Sequence, residues 1–277
     1  MNEHIYSFHV SGMWYDYKLD PQPPGDKFTT HTHDMFEINY FISGQARFSV
    51  EGNICRLTPG DVLIMRPAET HMPIIDGPAP YERMTIHVTP AYLKRFCPDC
   101  DALFSPFIDR RLGVYNQYHS SQFASGHWKS CLQAMAGAQN SFDEEAYVAF
   151  NLLAFLAELN LAFKARDFAG ERLEVTDLSA QIIRYINQHL FDEISVQSTA
   201  EHYHISPTHL GRLFRKATGT SIWKYITAKR LIAAREKIQA GSPANIVCQE
   251  CGFGDYSTFF RAYKARFHVA PKEDQLT

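Results

Sequence analysis

Apolar positions change their period along this chain, and the change divides it. Between Phe28 and His87 they fall in short runs at 37–42, 46–50, 54–57, 62–65 and 84–88. Turn residues separate these runs at Ser43-Gly44, Glu51-Gly52-Asn53, Thr58-Pro59-Gly60-Asp61 and Asp76-Gly77-Pro78. Short strands punctuated in this way predict a small antiparallel β-barrel or sandwich over residues 1–90.

After Pro90 the texture becomes helical. Residues 141–145 place a cap and acidic side chains ahead of a helix carrying Val148, Leu152, Phe155, Leu156, Leu159 and Phe163, which ends in Lys164 and Arg166. That charge order suits the helix dipole. A helix apolar on most sides must be covered on most sides, by the barrel or by a second subunit, so residues 91–166 are expected to be a helical extension that dimerises. Its most apolar stretch, 146–157, stops at Glu158, short of the roughly 20 residues that span a bilayer, and no membrane span is expected. Residues 167–177 read as a linker, and everything from 178 to 277 as helix. The fold class is α+β.

The carboxyl-terminal part repeats itself. Residues 210–215 align with 259–264 at an offset of 49. Each copy reads as helix, tight turn, helix. In the first, Ser206 before Pro207 supplies an N-cap and an N1 proline, and Leu210, Leu213, Phe214 and Ala217 form the buried face. Its other face carries Thr208, His209, Gly211, Arg212, Arg215 and Lys216. In the second, Phe259, Tyr263 and Phe267 form the stripe, leaving Tyr256, Ser257, Thr258, Arg261 and Lys264 free to meet a ligand. This is the helix-turn-helix layout, whose second helix enters the DNA major groove. Residues 221–240 can form one helix of roughly 30 Å, long enough to hold two recognition helices near successive major-groove segments.

Charge supports that reading. The whole chain has 27 Lys plus Arg against 30 Asp plus Glu, but residues 178–277 carry 13 against 8 and the remainder 14 against 22. A basic half joined to an acidic half is the asymmetry expected when one domain meets a polyanion. The amino terminus has no basic-then-apolar leader, so a cytoplasmic location is expected.

Residues 246–264, from Ile246 through Gly252-Phe253 and Phe259 to Lys264, followed by Pro271, resemble the signature of the AraC/XylS transcription regulators. Ala200, Leu210, Phe214, Gly219, Ser221 and Tyr225 resemble the family's other helix-turn-helix. The resemblance implies that Thr208, Gly211, Arg212, Tyr256, Ser257 and Arg261 face bases. It also implies a small-molecule effector, often a sugar, bound in an amino-terminal barrel, with RNA polymerase as partner of an activating homodimer. Two departures stand out: His268 replaces a usual glycine, and Asp274-Gln275 replaces a usual Tyr-Arg pair.

In the barrel, Gly25, His31, His33, Glu37 and Gly44 follow the spacing of the first cupin motif, and His71 falls where a second cupin motif would place a histidine. The resemblance implies an effector pocket at His31, His33, Glu37 and His71, and residue type adds Tyr40, Arg47 and Arg66, which can stack on or hydrogen-bond a sugar. No cofactor is required for that function. The alternative is a metal-dependent cupin, a sensor or an enzyme, holding a divalent transition metal on His31, His33, Glu37 and His71. Cys97/Cys100 and Cys248/Cys251 have the spacing of zinc half-sites, although the second pair also fits the core of a helix.

Overall fold

The computed structural model describes residues 3–23, 28, 30–67, 69–110, 112–137, 143–166, 178–218 and 220–275. The chain divides into two compact units, one formed by residues 1–29 and 35–174, the other by 30–34 and 175–277.

The first unit is a two-layered antiparallel sandwich. Its strands are β1 (Glu3–Val10), β2 (Met13–Asp20), β3 (Phe36–Ser43), β4 (Ala46–Val50), β5 (Asn53–Arg56), β6 (Val62–Met65), β7 (His71–Ile75), β8 (Tyr81–Val88) and the short β9 (Gln117–Tyr118). They pair as a six-stranded sheet, β1-β2-β8-β3-β6-β9, and a three-stranded sheet, β5-β4-β7. The expected runs at 46–50 and 62–65 coincide with β4 and β6, whereas β1, β2, β7 and β9 add strands beyond those expected. Strand β7 contains Pro73, which cannot donate to a ladder; it is tolerated because β7 pairs only with β4, at a sheet edge.

Helices α1 (Pro90–Lys94), α2 (Ser105–Ile108), α3 (His127–Ala136) and α4 (Glu144–Lys164) belong to the same unit. Their apolar faces share one core with Phe36, Ile38, Tyr40, Met84 and Ile86 of the large sheet. Successive strand residues face opposite ways, so Glu37, Asn39 and Phe41 turn to the other face of β3, where Phe41 packs on Ala46 and Tyr81. Helix α4 continues beyond Glu158. Contrary to the expectation from 146–157, it is long and apolar enough to cross a membrane by length and composition. Val148, Leu152, Phe155, Leu156 and Leu159 are nonetheless fully buried in the unit's core, as in a core helix. The expected cap at Ser141 lies outside the described residues; Glu144 and Glu145 occupy the first turn and Lys164 the last.

The second unit contains α5 (Leu178–Gln188), α6 (Val196–His202), α7 (Pro207–Thr218), α8 (Ile222–Gln239), α9 (Ala244–Glu250), α10 (Tyr256–Phe267) and α11 (Pro271–Asp274). It has two separate apolar cores. One gathers Ile182, Ile186, Leu210 and Phe214 around Ile222, Tyr225 and Ile226; the other gathers Val247, Cys248, Cys251, Phe259 and Tyr263 around Leu231, Ala234 and Ile238. Helix α8 runs through both.

Candidate nucleic-acid interface and ligand-binding domain

Helices α6–α7 and α9–α10 are the two helix-turn-helix units that the repeat predicts. Ser206 Oγ accepts the amide of His209 at 3.2 Å and Asp255 accepts that of Thr258 at 2.7 Å, so each recognition helix begins on a side-chain cap. The amide and hydroxyl of Thr258 hold the Asp255 carboxyl below its ordinary range. At the far end of α10, His268 adopts a left-handed conformation with φ 59°, the role usually given to glycine, and closes the helix by donating its amide to Lys264.

Most of the predicted faces hold, with Leu213, Ala217 and Phe267 half-buried against the cores. Thr208, His209, Arg212 and Arg215 on α7, and Tyr256, Ser257, Thr258, Arg261 and Lys264 on α10, are all exposed, while Leu210, Phe214, Phe259 and Tyr263 are buried. Gly211 is half-buried, and a Cβ built there meets nothing within 4 Å, so that point of α7 presents bare backbone. The side chain of Lys216 lies outside the described residues.

Asp274, one of the two residues that replace the usual Tyr-Arg pair, has a structural role. It is buried, accepts the Tyr263 hydroxyl at 2.7 Å and Arg235 Nε at 2.8 Å, and ties α10 and α8 to α11. Burial alone would raise its carboxyl, but Tyr263 and Arg235 outweigh burial and lower it. All six cysteines are free thiols. Cys248 and Cys251 sit in the second core, where burial raises both and pushes Cys251 up to about 11, so they pack as protonated side chains.

In the first unit the motif residue Glu37 stands between two imidazoles, His71 Nε2 at 2.9 Å and His87 Nε2 at 3.2 Å from the same carboxylate oxygen. His71 donates its Nδ1–H to the Glu69 carbonyl at 2.8 Å, which fixes the ring and turns Nε2 inward. Burial lowers the basicity of His71, but the Glu37 carboxylate outweighs it and raises its pKa. His87 was missing from the expected set. Its register opposite Glu37 on β8 supplies the contact, and no spacing rule within one strand reveals it. His31 and His33 lie on the Thr30–Asp34 segment, which groups with the second unit; their rings are 6.2 Å apart. Gly25 is outside the described residues.

Of the other expected pocket residues, Arg47 and Arg66 go elsewhere, and Tyr40 leaves Glu37 for the opposite face of β3. Tyr40 is three positions from Glu37 and therefore faces the helices, packing edge-on against Trp128. Arg47 points out from β4 and forms a two-pronged pair with Asp76 at 2.7 and 2.8 Å. Arg66 donates to the carbonyls of Ile108 and Arg110. A buried pair that the sequence reading missed lies nearby. Arg110 grips Glu69 at 2.6 and 2.7 Å, and Asn116 and the Gly113 amide also donate to that carboxylate. Burial raises Glu69, but the Arg110 charge outweighs it and holds the carboxyl at about 2.

Tyr40 instead lines a cleft of about 340 Å³ between the large sheet and α3, with Tyr17, Ile42 and Met84 below and Lys129 and Gln133 above. Burial raises both phenols, Tyr17 to about 12, so each stays a neutral hydroxyl. The size and the mixture of apolar wall and few polar groups suit a small organic molecule.

Comparison with known proteins matches both units. Residues 17–150 fit the family described as "AraC-like ligand binding domain", and residues 199–275 fit "Helix-turn-helix domain". The chain belongs to the AraC family. Within it, the chain is similar to the HTH-type transcriptional activator RhaS of Mannheimia succiniciproducens, 24% identical over 92% of each chain. It is equally similar to RhaS of Citrobacter koseri, 24% identical over 92% of this chain and 90% of that one. Among solved structures, ToxT from Vibrio cholerae aligns over 96% of this chain and 98% of its own, with 9% identity and a TM-score of 0.40. This AraC-family chain is thus a DNA-binding transcription regulator with a ligand-binding domain, carried on a β-sandwich and a double helix-turn-helix.

Proposed function

We propose that this regulator is a cytoplasmic transcription activator that works as a homodimer and is switched by a small organic effector, with sugars the first class to try. The observation that carries the reading is the pairing of two exposed basic recognition helices with a sandwich whose aromatic cleft has room for a monosaccharide-sized ligand. Neutral tyrosine hydroxyls and Gln133 can exchange hydrogen bonds with sugar hydroxyls, and the rings can stack on its apolar face. Activation, and with it contact with RNA polymerase, is supported by the activators to which the chain is similar over nearly their whole length. No enzymatic step is part of the reading.

Dimerisation is supported by α4. Tyr147, Phe150 and Leu161 are exposed on it, and with Ala154 and Ala157 they recur at alternating steps of three and four, the seam of a two-stranded coiled coil. An effector acts by binding one conformational state better than another. The test is to titrate a panel of pentoses and hexoses into the free protein and into its DNA complex by calorimetry. A sugar that binds the two with different affinities supports the reading; equal affinities for every ligand that binds would overturn it.

One observation favours a second occupant. The Glu37 carboxylate lies 2.9 Å from His71 Nε2 and 3.2 Å from His87 Nε2, and carboxylate and imidazole are donor types that suit a divalent transition metal. When bound, such an ion would supply Lewis acidity or a structural clamp. Metal analysis of tag-free protein beside a His71→Ala variant decides it: about one ion per chain, lost in the variant, supports a metal sensor.

A further inference from the structure

The two helix-turn-helix units do not share a core. Ile222, Tyr225 and Ile226 of α8 belong to the first, and Leu231, Ala234 and Ile238 belong to the second. Arg230 stands at the boundary. Its side chain is buried, yet all three of its partners are backbone carbonyls: Nε donates to Leu190 at 2.7 Å, one terminal nitrogen to Asp192 at 2.7 Å, and the other to Gly252. Leu190 and Asp192 follow α5 in the half built around the first helix-turn-helix, whereas Gly252 is the turn between α9 and α10 in the half built around the second. One guanidinium therefore bridges the two halves beside the helix that joins them.

The chain makes room for this bridge. Gly252 has φ +74°, and a Cβ there would lie 2.7 Å from the Phe191 carbonyl oxygen and 2.9 Å from the Arg230 guanidinium carbon. The backbones of the two halves approach at this point closely enough to exclude any side chain. Burial presses the Arg230 pKa down, and carbonyl dipoles replace the water it loses. A helix of 18 residues is about 27 Å long and bends readily along its length. A fork fixed to both ends of the boundary removes that freedom.

We propose that Arg230 is a positioning residue for DNA recognition, a strut that sets the angle and phase between α7 and α10 so that the protein tolerates only one spacing of its two half-sites. Arg230 touches no base in this account. It rests on the reading of α7 and α10 as the two DNA-reading helices, and the experiment separates the two ideas.

The probes are a duplex selected from a random pool by the full chain, the same duplex with one base pair inserted between its half-sites, and each half-site alone. The wild type is expected to lose at least tenfold in affinity on insertion. Arg230→Met, which keeps the length of the stem, is expected to bind the selected duplex at least fivefold more weakly, to change less than twofold on insertion, and to keep wild-type affinity for each half-site. A variant with wild-type spacing preference, or one that loses affinity for half-sites and full site alike, overturns the strut. If Arg230→Met does not fold, Arg230→Lys, which keeps the charge and loses the fork, is judged on the same duplexes. Should the wild-type chain select no duplex at all, the reading of the helices themselves is what fails.

Discussion

Glu37 and Tyr40 stand on opposite faces of β3, the carboxylate between His71 and His87 and the phenol against Trp128. One strand thus serves two separate chemical environments, a polar cluster and an aromatic cleft. Lys129 and Gln133 are exposed at the cleft, so Lys129→Ala with Gln133→Ala should change stability by less than about 0.5 kcal/mol per site. The same double variant should weaken effector binding and leave metal content at the wild-type level. Glu37→Gln should do the reverse. Calorimetry with the bound sugar and metal analysis check the pair; parallel loss of both ligands in either variant would mean one shared site.

Glu69 and Arg110 make the stability of the first unit acid-sensitive. The Glu69 carboxyl is held at about 2 in the fold against an ordinary 4.5, so its stabilisation is complete above pH 4.5 and is lost as pH falls from there towards 2. A shift of that size corresponds to about 3 kcal/mol. Glu69→Ala should cost about 3–5 kcal/mol, because it strands a buried guanidinium, and should flatten the acid limb of the melting curve. Thermal melts between pH 3 and 7 measure both.

Recognition by α7 and α10 divides into base reading and phosphate binding. Arg261→Ala should weaken binding to the cognate duplex by about 1–3 kcal/mol and barely touch non-specific DNA. Lys264→Ala should weaken both alike and reduce the salt slope by about one. Equal losses on the two DNAs for Arg261→Ala would remove its base-reading role.

Phe150 and Leu161 are 58% exposed on α4, so a charge there costs the isolated chain little. Phe150→Glu with Leu161→Glu should yield a monomer at micromolar concentration by equilibrium sedimentation, with its melting temperature within a few degrees of the wild type. An unchanged dimer in this variant would move the interface elsewhere.

Legibility followed locality. The duplicated units could be read because each depends on contacts three and four residues apart, and the exposed faces of α7 and α10 hold as the periodicity says. The barrel strands 46–50 and 62–65 were equally plain. What the chain concealed was pairing between distant segments: His87 reaches Glu37 only through the β3–β8 register, and Arg110 reaches Glu69 across 41 positions. Residue type alone put Arg47 in the pocket, and the two-residue period already separates Tyr40, which lines the cleft, from Glu37 on the opposite face. Asp274 looked like a departure from the family pattern because its partners, Tyr263 and Arg235, lie on two other helices.

Sequence-specific binding of DNA by the full chain is the claim on which the rest depends. Fluorescence anisotropy at about 150 mM salt, with the selected duplex beside a scrambled duplex of the same composition, tests it most directly. The account predicts at least about a thousandfold preference for the selected duplex. Equal affinity for the two would contradict it.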